Sequence, residues 1–180
     1  MTMAVNKGRN VFSVRRIAAL AVLTAVSMVL SLVETYIPVP IPVPGVKIGL
    51  ANIVTLVLIT NFDIMSALTV LIARCILSAV FSGSINAIFF SLAGGISSCA
   101  VMWLFYRKIH LDFSLIGISV IGAAAHNTAQ IMTAIVLMKD GAILYYLPVL
   151  LLCGLVTGFA IGVCGTRASI AISEMTRWVQ

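Results

Sequence analysis

The chain has 180 residues, of which 62% are hydrophobic and only 9% are charged. Soluble domains carry about 25% charged residues, so this composition excludes an ordinary water-exposed surface and predicts an integral membrane protein. The apolar segments do not alternate with polar residues as barrel strands do, which favours an all-α bundle over a β-barrel.

Six apolar segments predict six transmembrane helices in one membrane domain, residues 15–166. A basic segment, residues 1–14, precedes this domain, and residues 167–180 form an amphipathic tail. The first apolar run has no clean signal-peptide cleavage site, so we interpret it as a retained span. The predicted spans, in chain order, cover residues 17–33, 47–62, 63–80, 85–106, 113–138 and 142–164.

A proline-rich segment separates the first two predicted spans, with prolines at alternate positions: Pro38, Pro40, Pro42 and Pro44. Proline fixes φ and removes a backbone hydrogen-bond donor, so this segment is predicted to be extended rather than helical. We expect it to form a stiff cap over one end of the bundle.

The basic residues predict the orientation of the bundle. The net charge is +6. The sequence has no basic face with interleaved aromatic residues, so we do not expect it to bind nucleic acid. If the N terminus is cytoplasmic, eight of the 11 Lys and Arg residues lie on the cytoplasmic side and two lie outside. The positive-inside rule therefore predicts that both termini are cytoplasmic and that the proline-rich loop is extracellular. The localisation that we expect is a multi-pass protein of a prokaryotic-type plasma membrane.

Arg74 is the one Lys or Arg residue in the interior of a predicted span, eleven residues beyond Asp63. At about 1.5 Å per residue it lies about 16 Å into the membrane, where a charge is costly and normally faces the bundle interior. Two interpretations stay open. Arg74 either has a structural role, in which it pairs with Glu34 or caps backbone carbonyls, or it contacts the anionic group of a ligand.

Further polar residues fall at a similar predicted depth, in the outer half of the bundle. Each of them alone more often joins two helices than binds a ligand. These polar residues lie in the outer half of the bundle, whereas the inner half is nearly all apolar. This asymmetry predicts a small-molecule site that opens to the outside. Together with Arg74, the predicted substrate-binding residues are Lys47, Asn52, Asn86, His126, Asn127 and Gln130.

Two small-residue patterns indicate close helix packing. Ala21 and Ala25 form an AxxxA step near the predicted cytoplasmic edge, which we interpret as a docking face for another subunit. Gly154, Gly158 and Gly162 form two GxxxG steps on the sixth span, and packing within the monomer is the favoured interpretation.

The sequence contains no motif that indicates catalysis or a cofactor. The four cysteines, Cys75, Cys99, Cys153 and Cys164, lie in apolar runs without a CxxC pair, so we predict buried thiols and no metal site. DDxxD, HExxH, GxSxG and nucleotide-binding motifs are absent from the sequence. We therefore predict a protein that is not an enzyme and that cannot drive ATP-powered transport alone.

Two stretches resemble a known family: PGVKIGLANIVTL at Pro44–Leu56 and AAAHNTAQ at Ala123–Gln130. With the six short spans and the alanine step, they resemble the substrate-binding (S) components of energy-coupling-factor vitamin transporters. More narrowly, they resemble the group named both Gx transporter family and heptaprenyl diphosphate synthase component I.

The resemblance implies a protein that captures a micronutrient or precursor from outside the cell. Its partners would be a transmembrane scaffold subunit, which meets the alanine step of the first helix, and two ATPase subunits. The ligand would lie under the first outer loop. Two alternatives remain, a non-catalytic subunit associated with polyprenyl diphosphate synthesis and a structural membrane scaffold without a ligand.

Overall fold

The apolar runs fold as α-helices in the computed structural model, which describes residues 14–37, 47–83, 86–107 and 113–178. This part of the chain contains no strand, so the predicted all-α class is confirmed there. The proline-rich segment, residues 38–44, lies outside the described residues. The helices are α1 (Val14–Glu34), α2 (Asn52–Asn61), α3 (Ile64–Ser82), α4 (Asn86–Arg107), α5 (Leu115–Met138) and α6 (Leu147–Trp178), with a short 3₁₀ helix (Gly141–Tyr146) before α6.

Five of the helices, α1 and α3 to α6, are long and apolar enough to cross a membrane. The chain is therefore a helical membrane protein. The prediction of six spanning helices is wrong at α2, because this helix has only 10 residues. At about 1.5 Å per residue it extends about 15 Å, half the thickness of a bilayer core.

The short helix α2 lies at the centre of the bundle. It contacts α1, α3, α4 and α6, and most of its side chains are buried. A helix that is apolar on all sides is stable only when other helices surround it. The residues before it, from Lys47 to Ala51, are not helical, although the sequence predicted a helix from residue 47. Gly49 has φ +93°, a backbone conformation that favours glycine and that interrupts a helix.

Polar contacts fasten the helices at one end of the bundle, which we call the Asp63 end. The guanidinium of Arg16 on α1 donates hydrogen bonds to Asp63 and, over 2.7 Å, to Ser66 on α3. The Ser66 hydroxyl also donates to the Asp63 carboxylate over 2.7 Å. The opposite end, where α1 and α3 finish and α4 begins, we call the Glu34 end. The sequence predicts that the Asp63 end is cytoplasmic.

The α6 helix is longer than a membrane span requires. Its 32 residues extend about 48 Å, and the predicted tail from residue 167 is a continuation of the same helix as far as Trp178. Near the Asp63 end, Ser169 binds α2, because its hydroxyl lies 2.8 Å from Thr60 Oγ1 and accepts a 2.8 Å hydrogen bond from Asn61.

The Asp63 contacts predict a pH dependence of stability. Partial burial alone would raise the pKa of Asp63, but the Ser66 hydrogen bond and the Arg16 charge outweigh it and lower the pKa. A carboxyl with a lowered folded pKa stabilises the fold above its unfolded pKa, and this contribution is lost as the pH falls through the folded value. We therefore expect the thermal stability of the wild type to fall below about pH 4.

Thermal unfolding in detergent between about pH 7 and about pH 3 measures this effect. Asp63→Asn should be less stable than the wild type at neutral pH, and the difference between them should shrink as the pH falls. Glu174→Gln, which removes an exposed acid from α6, is the control and should follow the wild type. A constant difference between wild type and Asp63→Asn over the whole range would contradict the prediction.

Candidate functional site

The non-helical segment before α2 is held by side chains of other helices. The backbone N–H groups of Gly49 and Leu50 donate to Oε1 of Glu34 at the end of α1. The N–H of Lys47 donates to Oε1 of Gln130 on α5 over 3.2 Å. Buried backbone donors need partners in apolar surroundings, and non-helical backbone at membrane depth is tolerated where protein encloses it. Glu34 and Gln130 therefore replace the hydrogen bonds that a continuous helix would have supplied.

The side chain of Lys47 lies against the last turns of α1. Its Nζ lies 3.4 Å from both the carbonyl oxygen and the hydroxyl of Ser31, one turn before Glu34. Lys47 and Glu34 are both buried, and their opposite charges act on each other. This places an acid and a base near each other, where the non-helical segment lies against the end of α1.

His126 on α5 is enclosed by glycines. A methyl group at Gly94 of α4 would lie 2.7 Å from its Cε1, and one at Gly49 would lie 3.4 Å from its Cδ2. Asn52 Nδ2 lies 3.3 Å from His126 Nδ1. A neutral imidazole donates through one ring nitrogen and accepts through the other, and His126 Nε2 has no hydrogen-bond partner among the described residues. The His126 ring therefore occupies space that side chains larger than glycine at these two positions would fill.

Arg74 is also buried beside a glycine. Its exposed fraction is 3%, and a methyl group at Gly95 of α4 would lie 3.3 Å from its Nη2. No ion pair joins Arg74 to Glu34 within the described segments, where the Glu34 carboxylate accepts from Gly49 and Leu50 instead. The charge of Arg74 still acts on Glu34 from a greater distance, and the choice between a structural and a ligand-binding role for Arg74 stays a prediction.

These side chains form one group around the non-helical segment, which we call the polar cluster. It comprises Glu34, Lys47, Asn52, Arg74, His126 and Gln130. Each of these residues is at least nine-tenths buried, yet several of their polar atoms have no hydrogen-bond partner in the described part of the chain. These atoms are Asn52 Oδ1, Arg74 Nε, Arg74 Nη2, His126 Nε2 and Gln130 Nε2.

A buried polar atom without a partner costs about 1–3 kcal/mol, so a group of them on neighbouring helices needs a physical reason. Elsewhere among the described side chains, the atoms of this kind are one amide oxygen, of Asn127, and the hydroxyls of Ser27, Ser78, Ser98 and Ser119. Apart from serine hydroxyls, the unpartnered atoms thus belong to side chains on α2, α3 and α5. Most of these side chains lie around the non-helical segment before α2. Such an arrangement can bind a ligand that supplies the missing partners.

Two of the predicted site residues lie outside the polar cluster. Asn86 is exposed at the first position of α4. Asn127 faces α6, where its Nδ2 donates a 2.7 Å hydrogen bond to the carbonyl of Leu150. The structure brings the other five predicted residues together in the cluster.

Asn127 borders a separate cavity of about 260 Å³ between α5 and α6. The lining is mostly apolar, and Val156 on its rim is largely exposed on the outer face of α6. Ile48 forms the wall towards the non-helical segment. The complete lining is Ile48, Asn127, Leu150, Cys153, Gly154, Val156 and Thr157.

The alanine step lies on an uncovered face. Ala21 and Ala25 are exposed on α1, which is the least buried of the five long helices. This face is available to another helix, as the docking prediction requires.

The cysteines are free thiols, but they are not all buried as predicted. Cys75 and Cys99 are buried, Cys153 is partly exposed, and Cys164 is exposed on the outer face of α6. No group of three or more His, Cys, Asp or Glu side chains that could hold a metal occurs among the described residues.

Sequence reasoning missed several residues that shape the cluster: Ser31, Glu34 as a backbone acceptor, Gly49, Gly94 and Gly95. The position of Glu34 could have identified it, because an acid at the end of a membrane span is a candidate functional residue. The glycine pair in the middle of α4 was visible in the sequence, but nothing there indicated which side chains would lie against it.

The fold and the site define a class: a small helical membrane protein whose core holds a charged and incompletely hydrogen-bonded cluster beside a break in the helical structure. A family model described as heptaprenyl diphosphate synthase component I matches residues 23–168, so the chain belongs to that family. The match includes every residue of the polar cluster and confirms the family predicted from the sequence. Neither a curated protein nor a solved structure matches the chain.

Proposed function

We propose that the protein binds a small polar or anionic solute in the polar cluster, as the substrate-binding component of an importer of the energy-coupling-factor type. The observation that carries this proposal is the set of buried donors and acceptors without partners in the described part of the chain, on α2, α3 and α5. A bound solute would supply those partners. The non-helical segment before α2 supports the same proposal, because transporters commonly bind substrates beside non-helical backbone that lies within the membrane.

The remaining parts of the proposal concern direction and partners. The solute is captured from the outside, beneath the proline-rich loop, and reaches the cytoplasm when partner subunits hydrolyse ATP. A transmembrane scaffold subunit docks on α1, and the exposed Ala21 and Ala25 support this assignment. The charge bias of the loops supports the orientation.

A second candidate function is that of a non-catalytic membrane subunit in polyprenyl diphosphate synthesis. The family description favours it directly. The mostly apolar cavity between α5 and α6 is a second supporting observation, because an isoprenoid chain would fit such surroundings. Co-expression with a catalytic polyprenyl synthase tests it. An unchanged product length and rate with this chain present would remove this candidate.

The test of solute binding is a comparison of matched asparagine variants. Asn52→Leu removes an unpartnered acceptor from the cluster and keeps the side-chain volume, whereas Asn86→Leu makes the same change at an exposed position. Small molecules that co-purify with each variant are extracted, identified by mass spectrometry and titrated back. We expect Asn52→Leu to bind about ten- to a hundredfold more weakly than the wild type, and Asn86→Leu to be unchanged. Equal binding by both variants would contradict the site.

A further inference from the structure

We propose that the polar cluster binds a single carboxylate, held side-on by the Nε and Nη2 edge of Arg74. This inference rests on the proposed solute-binding function and narrows its ligand to a class, the small monocarboxylates. Three observations on the cluster lead to it.

The first observation is which atoms of Arg74 lack partners. Nε and Nη2 have no hydrogen-bond partner among the residues that the structure describes. These two nitrogens belong to one edge of the planar guanidinium, and their N–H bonds point in parallel. That edge matches the two oxygens of a carboxylate and binds it through two charge-assisted hydrogen bonds. A single neutral acceptor would satisfy only one of the two donors.

The second observation is the charge balance of the cluster. Glu34 and Lys47 offset each other, whether both are charged or the proton has passed from one to the other. His126 is buried and contacts the neutral Asn52 side chain, and no acid pairs with it among the described residues, so we count it as neutral. The sequence between Glu34 and Lys47 contains no Asp, Glu, Lys, Arg or His, so the loop cannot change the sum.

The positive charge of Arg74 is therefore uncompensated at membrane depth, where an unpaired charge is costly. One negative charge on the ligand restores neutrality. A diphosphate carries more than one negative charge and would leave the site net negative, which favours a monoanion over a prenyl diphosphate.

The third observation concerns the rest of the ligand. Gln130 Nε2 is a donor without an acceptor, Asn52 Oδ1 is an acceptor without a donor, and His126 Nε2 has no partner, within the described side chains. A ligand that satisfies them carries at least one further acceptor and one further donor. The inferred class is a small monocarboxylate with additional polar groups.

Chemical labelling detects a carboxylate even when the ligand has not been identified. The extract of the purified wild-type protein is coupled to aniline in light and heavy isotopic forms with a carbodiimide, which forms an amide only at carboxyl groups. We expect one retained molecule to take up a single label, and to be absent from Arg74→Met. A retained molecule with no carboxyl, or with a phosphate, would overturn this inference and leave the proposed solute binding intact. If no molecule is retained, the ligand dissociates during purification or solute binding itself fails, and the next measurement decides.

That measurement is thermal unfolding with formate, the smallest carboxylate, against chloride and inorganic phosphate at equal ionic strength. Formate should raise the melting temperature of the wild type more than the other two anions do. Arg74→Lys keeps the charge but loses the two-donor edge, and we expect it to bind formate about tenfold more weakly. Equal shifts with all three anions, or an unchanged formate response in Arg74→Lys, would overturn the carboxylate assignment. Asn86→Leu, the exposed control, should show the same preference for formate over chloride and phosphate as the wild type.

Discussion

Replacing Glu34 with alanine is expected to destabilise the protein by about 2–6 kcal/mol, because it leaves two backbone donors without an acceptor at about 1–3 kcal/mol each. The Glu34 carboxylate accepts the backbone N–H groups of Gly49 and Leu50, and it offsets the buried Lys47. Its removal leaves two backbone donors without an acceptor and an ammonium without a counter-charge. The non-helical segment before α2 would lose the contact that fixes its conformation.

A double-mutant cycle separates the charge from the hydrogen bonds. Glu34→Gln keeps an acceptor for the two N–H groups but unbalances Lys47, and Lys47→Met unbalances Glu34. We expect each single variant to be strongly destabilised, and the double variant to be more stable than the sum of the two effects by about 1–3 kcal/mol. Denaturant or thermal unfolding in one detergent measures all four proteins.

Glu174→Gln on the exposed part of α6 is the control for loss of an acid and should stay within about 0.5 kcal/mol of the wild type. Strict additivity of Glu34→Gln and Lys47→Met would show that the two charges do not interact. The description in which Glu34 and Lys47 offset each other and Arg74 carries the excess positive charge would then be wrong.

The cluster could be predicted from the sequence only in part, and the reason differs between residues. Arg74, Asn52 and His126 are polar residues within apolar runs, and the cost of burying such groups in a membrane is general physics that needs no coordinates. Asn86 had the same composition signal but sits at the first position of its helix, where a side chain can remain outside the bundle. Depth alone does not distinguish the two cases.

Helix periodicity could have separated Asn127 from its neighbours. His126 and Gln130 are four residues apart and share a face of α5, whereas Asn127 is turned about 100° from His126 and faces α6 instead. The prediction grouped all three because Asn127 and Gln130 are three residues apart, a spacing that also brings side chains near each other on a helix.

The break before α2 was hidden for a different reason. Residues 47–62 are apolar enough to read as a span, and hydropathy does not distinguish a helix from an enclosed non-helical segment. Gly49, with its positive φ, is the local cause, but a glycine in an apolar run is also common in continuous membrane helices. The side chains that stabilise the break come from α1 and α5, so it depends on contacts distant in sequence.

The largest packing effect is expected on α6, where the GxxxG glycines pack within the monomer, as favoured from the sequence. A methyl group at Gly162 would lie 2.6 Å from the Cα of Ile116, and one at Gly158 would lie 2.8 Å from the Cα of Val120. Both neighbours are backbone atoms of α5, which cannot rotate away as the end of a side chain can. Any larger residue must therefore push α5 and α6 apart.

We expect Gly158→Ala and Gly162→Ala each to destabilise by about 1–3 kcal/mol, and the corresponding leucine variants to prevent folding. Thermal unfolding and gel filtration in detergent measure stability and oligomeric state together. Gly141→Ala is the matched control, because nothing lies within 4 Å of a methyl group there, and it should not reduce stability.

If the glycines instead served contacts between chains, the alanine variants would keep the stability of the monomer and change only its association. The close contact of the α5 and α6 backbones predicts the opposite result, because these helices cannot accept a methyl group at either position without separating.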